Sequence, residues 1–305
     1  MSAAAARAPG MKLDAVRGRL VYGEPMSRHT HWRVGGPARL FFVPADRSDL
    51  ADFLRALDPA LPVYFVGMGS NLLVRDAGIE GAVVALGRAF REVTRSEFSV
   101  EAGAGLPCTA LAKACSSWGL GPADFFAGIP GTVGGALAMN AGAFGGETWD
   151  SVHSVETLDR GGVVHRRPRG QYRPGYRQLD GPADECFLAA RFEFETTPQT
   201  GRLRSLMAER RRRQPLNLPS CGSVFRNPPG SFAGELIEKA GLKGLREGAA
   251  EVSTKHANFI VNHGGATAAE IERLILKVQA RVRADCGVTL QPEVRIVGGG
   301  PQAAP

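Results

Sequence analysis

A glycine-rich stretch from Phe125 to Gly146, FFAGIPGTVGGALAMNAGAFGG, has the composition of a ligand-binding loop. Seven of the twenty residues from Ala127 to Gly146 are glycine, and only Thr132 and Asn140 carry polar side chains. Glycine costs about 0.5–1 kcal/mol relative to alanine inside a helix or strand, which argues against one regular element throughout. Without Cβ atoms, main-chain N–H groups can approach a ligand and point at phosphate oxygens. The stretch therefore predicts a buried phosphate-binding loop, with a tight crossing between packed elements as the alternative.

A second glycine turn, GMGSNLLV, follows the apolar run from Val63 to Val66. It lacks the third glycine and the following helix of the dinucleotide-binding fingerprint. Its hydroxyl and amide donors, Ser70 and Asn71, suit a pyrophosphate. An ordinary hairpin turn explains the same pattern equally well.

Polar side chains that could act on a substrate lie in three short segments. The prolines of PSCGSVFRNPP make a rigid, non-helical segment that carries Ser223, Arg226 and Asn227. The segment QYRPGYR is an aromatic–arginine turn around Arg173, and LQPEVR places Glu293 next to a proline. Each residue also has an ordinary structural explanation: a helix cap, a surface turn or an ion pair.

Composition indicates a globular protein of two or three domains, because the chain has 305 residues, 44% hydrophobic and 22% charged. The net charge of +7 suits an anionic small molecule or a weak nucleic-acid contact and decides neither. Five cysteines without a C-x-x-C pair support neither a disulfide framework nor a zinc site, so we expect reduced thiols, no metal and a cytoplasmic location. We also expect no signal peptide and no membrane span.

Hydrophobic periodicity predicts the main elements. The predicted helices run from Asp46 or Ser48 to Leu57, Pro107–Trp118, Arg202–Arg213, Ser231–Ala240 and from Thr267 or Ala268 to Cys286; the main predicted strands are Arg39–Val43, Val63–Val66, Val152–Leu158, Phe187–Phe194 and Val288–Val297. The run ERRRR in the third helix predicts a solvated face rather than a nucleic-acid platform, because no aromatic residues interleave.

Seven segments together resemble the UDP-N-acetylenolpyruvoylglucosamine reductase family. They are, in the family's order, RVGGPA, VGMGSNLLV, AGIPGTVGGALAMNAGAFG, QYR, PSCGSVFRNP, KHANFIVN and LQPEVRIVG. The resemblance covers the chain from about Arg28 to Val297. It implies an α+β protein: a two-subdomain FAD-binding fold of the vanillyl-alcohol oxidase type plus a C-terminal α/β substrate domain. We expect FAD-binding subdomains at residues 1–90 and 91–198, and a substrate domain with a disordered tail at residues 199–305.

The resemblance implies a flavoenzyme of peptidoglycan synthesis. NADPH would reduce FAD, and the enolpyruvyl group of UDP-N-acetylglucosamine-enolpyruvate would then be reduced to give UDP-N-acetylmuramate. The family's catalytic residues correspond to Arg173, Ser223 and Glu293. Arg173 would hold charge that develops on the substrate carboxylate, Ser223 would deliver a proton, and Glu293 would stabilise the intermediate.

Two further sets of residues are expected to bind ligands. FAD would contact Gly67, Gly69, Ser70, Asn71, Leu72, Gly128, Ile129, Pro130, Gly131, Gly134, Gly135, Asn140 and Gly142. Arg226 and Asn227 would contact the UDP-sugar. We expect a monomer whose partners are this substrate and NADPH, with no nucleic-acid or membrane partner.

Three residues depart from the family pattern: Gly175 where serine is usual, Met68 in place of a common glycine, and Cys221 in a usual alanine position. The absence of a substrate-capping insertion between Tyr176 and Arg202 indicates the shorter subtype. The alternative function is a vanillyl-alcohol-type oxidase, but no histidine that could tether the flavin lies between Arg33 and Glu101.

Overall fold

The computed structural model describes residues 13–197 and 201–299. Its helices are α1 (Arg47–Ala56), α2 (Cys108–Ser117), α3 (Val133–Ala138), α4 (Arg202–Arg213), α5 (Ala233–Lys239) and α6 (Ala268–Cys286). Its strands are β1 (Arg19–Pro25), β2 (Pro37–Val43), β3 (Val63–Val66), β4 (Leu72–Val74), β5 (Ile79–Ala85), β6 (Val93–Ser96), β7 (Ser99–Gly103), β8 (Leu120–Gly121), β9 (Gly142–Ala143), β10 (Gly146–Glu147), β11 (Val152–Asp159), β12 (Val164–Pro168), β13 (Arg173–Gly175), β14 (Gln178–Asp180), β15 (Glu185–Glu193), β16 (Glu195–Thr196), β17 (Arg246–Glu247), β18 (Ala250–Val252), β19 (Ile260–Asn262) and β20 (Arg295–Val297).

The described residues form two compact units. Unit 1 contains the described residues within Met1–Gly23, Leu40–Gly67 and Gly81–Ala208. Unit 2 contains the described residues within Glu24–Arg39, Met68–Glu80 and Glu209–Pro305. The division into three domains that the sequence predicts, at residues 1–90, 91–198 and 199–305, stays a prediction.

Unit 1 is built around two sheets. One has the strand order β1-β2-β5-β3, and the other, antiparallel throughout, has the order β12-β11-β15-β7-β6. Helix α1 covers the first sheet, with Phe53 stacked on Phe42 of β2 at 4.1 Å between ring centroids. The side chain of Asp46 accepts a hydrogen bond from the Asp49 N–H and so begins α1, as the sequence predicts.

The glycine-rich stretch of unit 1 is buried, but part of it is helical. A 3-10 turn covers Asp124–Gly128, and α3 follows at Val133. The prediction of a loop missed this short helix, which begins because the Thr132 hydroxyl accepts a hydrogen bond from the Gly135 N–H, 3.4 Å away.

Unit 2 packs α6 against the small sheet β17-β18-β19. The apolar stripe of α6 includes Ile271, Leu274, Ile275, Val278 and Val282, all buried at helical spacing. A capping box at Thr267 begins the helix, and left-handed Gly287 ends it, so the predicted bounds are confirmed.

The predicted strand Val288–Val297 is wrong over most of its length, because only Arg295–Val297 pairs in a ladder, parallel to β4. Pro292 has no N–H to donate and forms only an isolated bridge with Phe225. Helix α5 also begins later than predicted, at Ala233 instead of Ser231. Within the described residues, no helix combines the length and the apolar character that a membrane crossing requires.

Candidate active site

The two glycine-rich segments meet within unit 1 at Gly67 and Thr132. A Cβ atom on Gly67 would lie 2.6 Å from the Thr132 Oγ1, so any larger residue would force the backbone or the Thr132 side chain to move. The same hydroxyl caps α3 through Gly135. Sequence reasoning assigned no role to Thr132, although a threonine just before a helical run is a recognisable cap signal.

A cavity of about 150 Å³ lies beside this contact and is lined in part by Gly67, Thr132, Gly134 and Gly135. Gly134 donates its N–H to the Ala104 carbonyl at 2.8 Å, and a Cβ on Gly134 would lie 2.9 Å from the Ala104 Cβ. The absence of side chains at these glycines thus keeps the cavity open. These residues fit a phosphate-containing cofactor, and the cavity has room for part of one.

The other predicted cofactor residues of this stretch contact protein groups. Gly131 accepts a hydrogen bond from the Cys108 N–H at 2.9 Å, and Ile129 is buried in the core. A Cβ on Gly128 would overlap Ala143, while Pro130 is half-buried beside Gly131. Their contacts with FAD stay predictions.

In unit 2, the residues after Gly67 join the segments that carry Ser223 and Glu293. Gly69 has a φ of +65°, and an added Cβ would overlap the His29 carbonyl. The Asn71 Nδ2 donates to the Glu293 carbonyl at 3.1 Å, and the Arg295 N–H donates back to the Asn71 carbonyl at 3.1 Å. These bonds hold the predicted flavin turn against the segment of Glu293.

Cys221 connects the same turn to the Ser223 segment. Its Sγ lies 3.6 Å from both the Gly69 and the Leu72 carbonyl oxygens, so its S–H can donate to either. The side chain is buried, and burial raises the pKa of the thiol to about 12. It therefore stays protonated, and its departure from the family pattern preserves a small buried residue. Ser70, in the turn itself, is half-buried.

Ser223 and Glu293 are brought together by main-chain hydrogen bonds. The Glu293 N–H donates to the Val224 carbonyl at 2.8 Å, and the Arg226 N–H donates to the Gln291 carbonyl at 2.9 Å. Both Ser223 and Glu293 are half-buried. Two segments far apart in sequence thus place a hydroxyl and a carboxyl group in one region of unit 2.

Asn258 holds the other side of the Ser223 segment. Its Oδ1 accepts from the Phe225 N–H at 2.9 Å, its Nδ2 donates to the Phe225 carbonyl at 2.8 Å, and its own carbonyl accepts from the Val224 N–H at 2.9 Å. The Asn258 side chain thus pairs with both main-chain polar groups of the buried Phe225, as a neighbouring β-strand would. It lies in the KHANFIVN segment, to which sequence reasoning assigned no role.

The two predicted substrate residues follow in the same segment. Arg226 is half-buried and Asn227 is exposed. The Asn227 Oδ1 accepts a hydrogen bond from the Ala233 N–H at 3.1 Å, near the start of α5. Asn227 therefore has a structural contact, and its contact with substrate stays a prediction.

Arg173 lies in unit 1, exposed at the start of β13. The preceding residue, Tyr172, is buried, and its ring centroid lies 4.7 Å from that of Trp149. Burial raises the pKa of Tyr172 to about 12, and the nearby Glu185 carboxylate adds to the rise. In the described ranges, no group of His, Cys, Asp and Glu residues is arranged to hold a metal ion.

The sequence is 53% identical to UDP-N-acetylenolpyruvoylglucosamine reductase of Alkalilimnicola ehrlichii over 284 residues, covering 92% of this chain and 95% of that protein. The chain belongs to the UDP-N-acetylenolpyruvoylglucosamine reductase family. The protein of that name from Methylococcus capsulatus is 54% identical over 288 residues, covering 92% of this chain and 94% of the relative.

Family models and a crystal structure agree with this membership. Residues 38–167 match the model of an FAD binding domain, and residues 214–297 match the C-terminal domain of the reductase family. The crystal structure of the reductase from Thermus caldophilus superposes with a TM-score of 0.78 at 32% identity, covering 92% of this chain and 98% of that one. The predicted fold, an FAD-binding domain followed by the family's C-terminal domain, is confirmed, and the family is one of oxidoreductases.

Proposed function

We propose that this protein reduces the enolpyruvyl double bond of UDP-N-acetylglucosamine-enolpyruvate with NADPH, forming UDP-N-acetylmuramate for peptidoglycan synthesis. The observation that carries the proposal is the hydrogen bond from the Glu293 N–H to the Val224 carbonyl, because it places Glu293 beside the Ser223 segment. The family membership supports the substrate, whose name its relatives carry.

FAD would be held by the backbone around Gly67, Gly134 and Gly135, where an added side chain has no room or would fill the cavity. Bound FAD would supply the redox chemistry, hydride transfer between NADPH and the terminal carbon of the enolpyruvyl group. The chain's own residues manage the charge and the proton that this transfer requires.

Hydride addition to the terminal carbon leaves an electron pair on the neighbouring carbon, delocalised into the substrate carboxylate. The Arg173 guanidinium can bind this enolate-like charge through two parallel hydrogen bonds. Ser223 delivers a proton to the neighbouring carbon, which completes the saturated product. Glu293 would help to stabilise the same intermediate.

The same proposal includes the residues that bind the UDP-sugar and the compartment in which the protein works. Arg226 and Asn227 contact the UDP-sugar, and the protein works as a cytoplasmic monomer without nucleic-acid or membrane partners. Free thiols support a reducing compartment, since all five cysteines are unpaired and lie in the described residues.

The test is anaerobic stopped-flow spectroscopy of the purified flavoprotein, with the two half-reactions followed separately. NADPH should bleach the flavin absorbance, and UDP-N-acetylglucosamine-enolpyruvate should restore it. Restoration by oxygen at a comparable rate without the sugar would favour the oxidase alternative. Colour that stays with the acid-precipitated protein would show a covalently bound flavin and contradict the expected non-covalent FAD.

A further inference from the structure

Asn140 is the buried polar residue near the end of the glycine-rich stretch, with 2% of its surface exposed and a φ of +44°. Its Nδ2 donates to the Glu147 Oε2 at 2.7 Å and to the Gly175 carbonyl at 3.1 Å. Its Oδ1 accepts from the Trp149 N–H at 3.1 Å. Two of the partners can only accept and one can only donate, so they determine the orientation of the amide.

The bond to Gly175 supports the hairpin that carries Arg173. Strand β13 begins at Arg173, ends at Gly175 and pairs with β14 in a sheet of two strands. Such a hairpin is marginally stable by itself, so its position depends on contacts outside the sheet. Arg177 makes a second hydrogen bond of this kind, because its guanidinium donates to the Gly142 carbonyl at 2.9 Å. Both hydrogen bonds connect the hairpin to the glycine-rich stretch.

We propose that Asn140 is a positioning residue for Arg173, acting through the Gly175 carbonyl, and that its side chain is not a flavin ligand. The inference rests on the proposed function, in which Arg173 acts only when the enolpyruvyl group is reduced. It revises the expectation that Asn140 contacts FAD, because both amide hydrogens and the amide oxygen already bind protein groups.

The first variant is Asn140→Asp, which has nearly the same shape but loses both donors and places a carboxylate against Glu147 and the Gly175 carbonyl. We expect FAD content and bleaching by NADPH to stay within about twofold of wild type. Reoxidation by the enolpyruvyl substrate should fall about 10- to 100-fold, the effect of misplacing a catalytic group by about 1 Å. Asn217→Asp makes the same chemical change at an exposed position and should leave both half-reactions unchanged.

The double variant Asn140→Asp/Glu147→Gln separates positioning from stability. The new amide at position 147 can donate to the new carboxylate at 140, while its oxygen can still accept a hydrogen bond from the Asp150 N–H, as the Glu147 carboxylate does. The bond to Gly175 stays broken. We therefore expect the urea midpoint to return toward wild type while reoxidation stays slow. A double variant that recovered fast reoxidation would overturn the proposal.

Hydrogen exchange of the amides of β13 and β14 gives a readout that needs no substrate. In the FAD-loaded protein, both variants should exchange these amides faster than wild type and Asn217→Asp. Unchanged exchange would overturn the inference, and so would loss of FAD from Asn140→Asp, which would show a flavin ligand. A wild-type enzyme that the enolpyruvyl sugar fails to reoxidise would instead contradict the proposed function, and the exchange result would still decide the role of Asn140.

Discussion

The main-chain N–H of Glu293 donates a hydrogen bond to the carbonyl oxygen of Val224, 2.8 Å away. Ser223 immediately precedes Val224, so this bond fixes the spacing between the backbones of the two residues expected to act on the substrate in unit 2. Asn71 bonds to the carbonyl of Glu293 itself, which brings the predicted flavin turn to the same place. A short network of hydrogen bonds thus joins the segments predicted to bind the cofactor and to act on the substrate.

Ser223→Ala should separate the two half-reactions. Bleaching of the flavin by NADPH should stay near the wild-type rate, because no carbon is protonated in that step. Reoxidation by the enolpyruvyl substrate should fall by a factor of about 10²–10⁴, the usual contribution of a positioned general acid. Anaerobic stopped-flow measures both rates, with exposed Ser205→Ala as the matched control. Equal slowing of both half-reactions would show that Ser223 has a structural role.

Gly67→Ala should weaken FAD binding by about 10- to 100-fold, in line with the typical cost of overpacking, about 1–3 kcal/mol. The new Cβ would lie 2.6 Å from the Thr132 Oγ1. Titration of the apoprotein with FAD, followed by flavin fluorescence, measures the effect.

Two variants control for this result. Adding Thr132→Ala removes the opposing hydroxyl and should restore part of the affinity. Gly170→Ala, where a Cβ would meet nothing within 4 Å, should bind FAD as wild type does. Failure of the double variant to recover any affinity would contradict a steric cause.

Asn227 has two expected roles that two substitutions can distinguish. Asn227→Asp keeps an oxygen that can accept the Ala233 N–H, whereas Asn227→Ala removes it. Both should raise the apparent KM for the UDP-sugar, but only the alanine variant should also lose stability, by about 1 kcal/mol. Steady-state kinetics and urea unfolding give the two readouts. A KM that neither variant changed would remove Asn227 from the substrate site.

Asn258→Ala should lower the free energy of unfolding by about 2–4 kcal/mol, because it leaves the buried N–H and carbonyl of Phe225 without their partners. Urea unfolding followed by circular dichroism measures the loss. Exposed Asn217→Ala should change stability by less than about 0.5 kcal/mol. If the two variants were equally stable, the side chain of Asn258 would not be what holds the Ser223 segment.

Alkaline pH should destabilise the protein through its buried thiols. Burial raises the pKa of Cys115, Cys186 and Cys221 to about 12, and that of Cys108 is raised as well. Unfolded thiols ionise near pH 8.5 while the folded ones stay protonated. Their contribution to stability is therefore complete below that pH and is lost as the pH rises toward 12.

Each buried thiol should remove about 2 kcal/mol of stability by pH 10. Urea unfolding under reducing conditions at pH 7, 8.5 and 10 measures this loss. Cys115→Ala should make the decline shallower, because one buried thiol no longer contributes. A decline as steep as that of wild type would show that groups other than this thiol are responsible.

The sequence determined the family and the ends of α1 and α6. Ordered motifs and helix caps are local patterns, and the missing side chain at each glycine is visible in the sequence itself. These properties depend on neighbouring residues or on the size of one side chain. They can therefore be read along the chain.

Only the tertiary structure determined which partners the polar groups take. Asn140 could bind a phosphate or a peptide carbonyl equally well by its chemistry, and packing places the Gly175 carbonyl against it. The same holds for Asn258 with Phe225 and for Glu293 with Val224. Hydrogen bonds between segments far apart in sequence depend on how the chain returns to the same place, and local propensity contains no information about that.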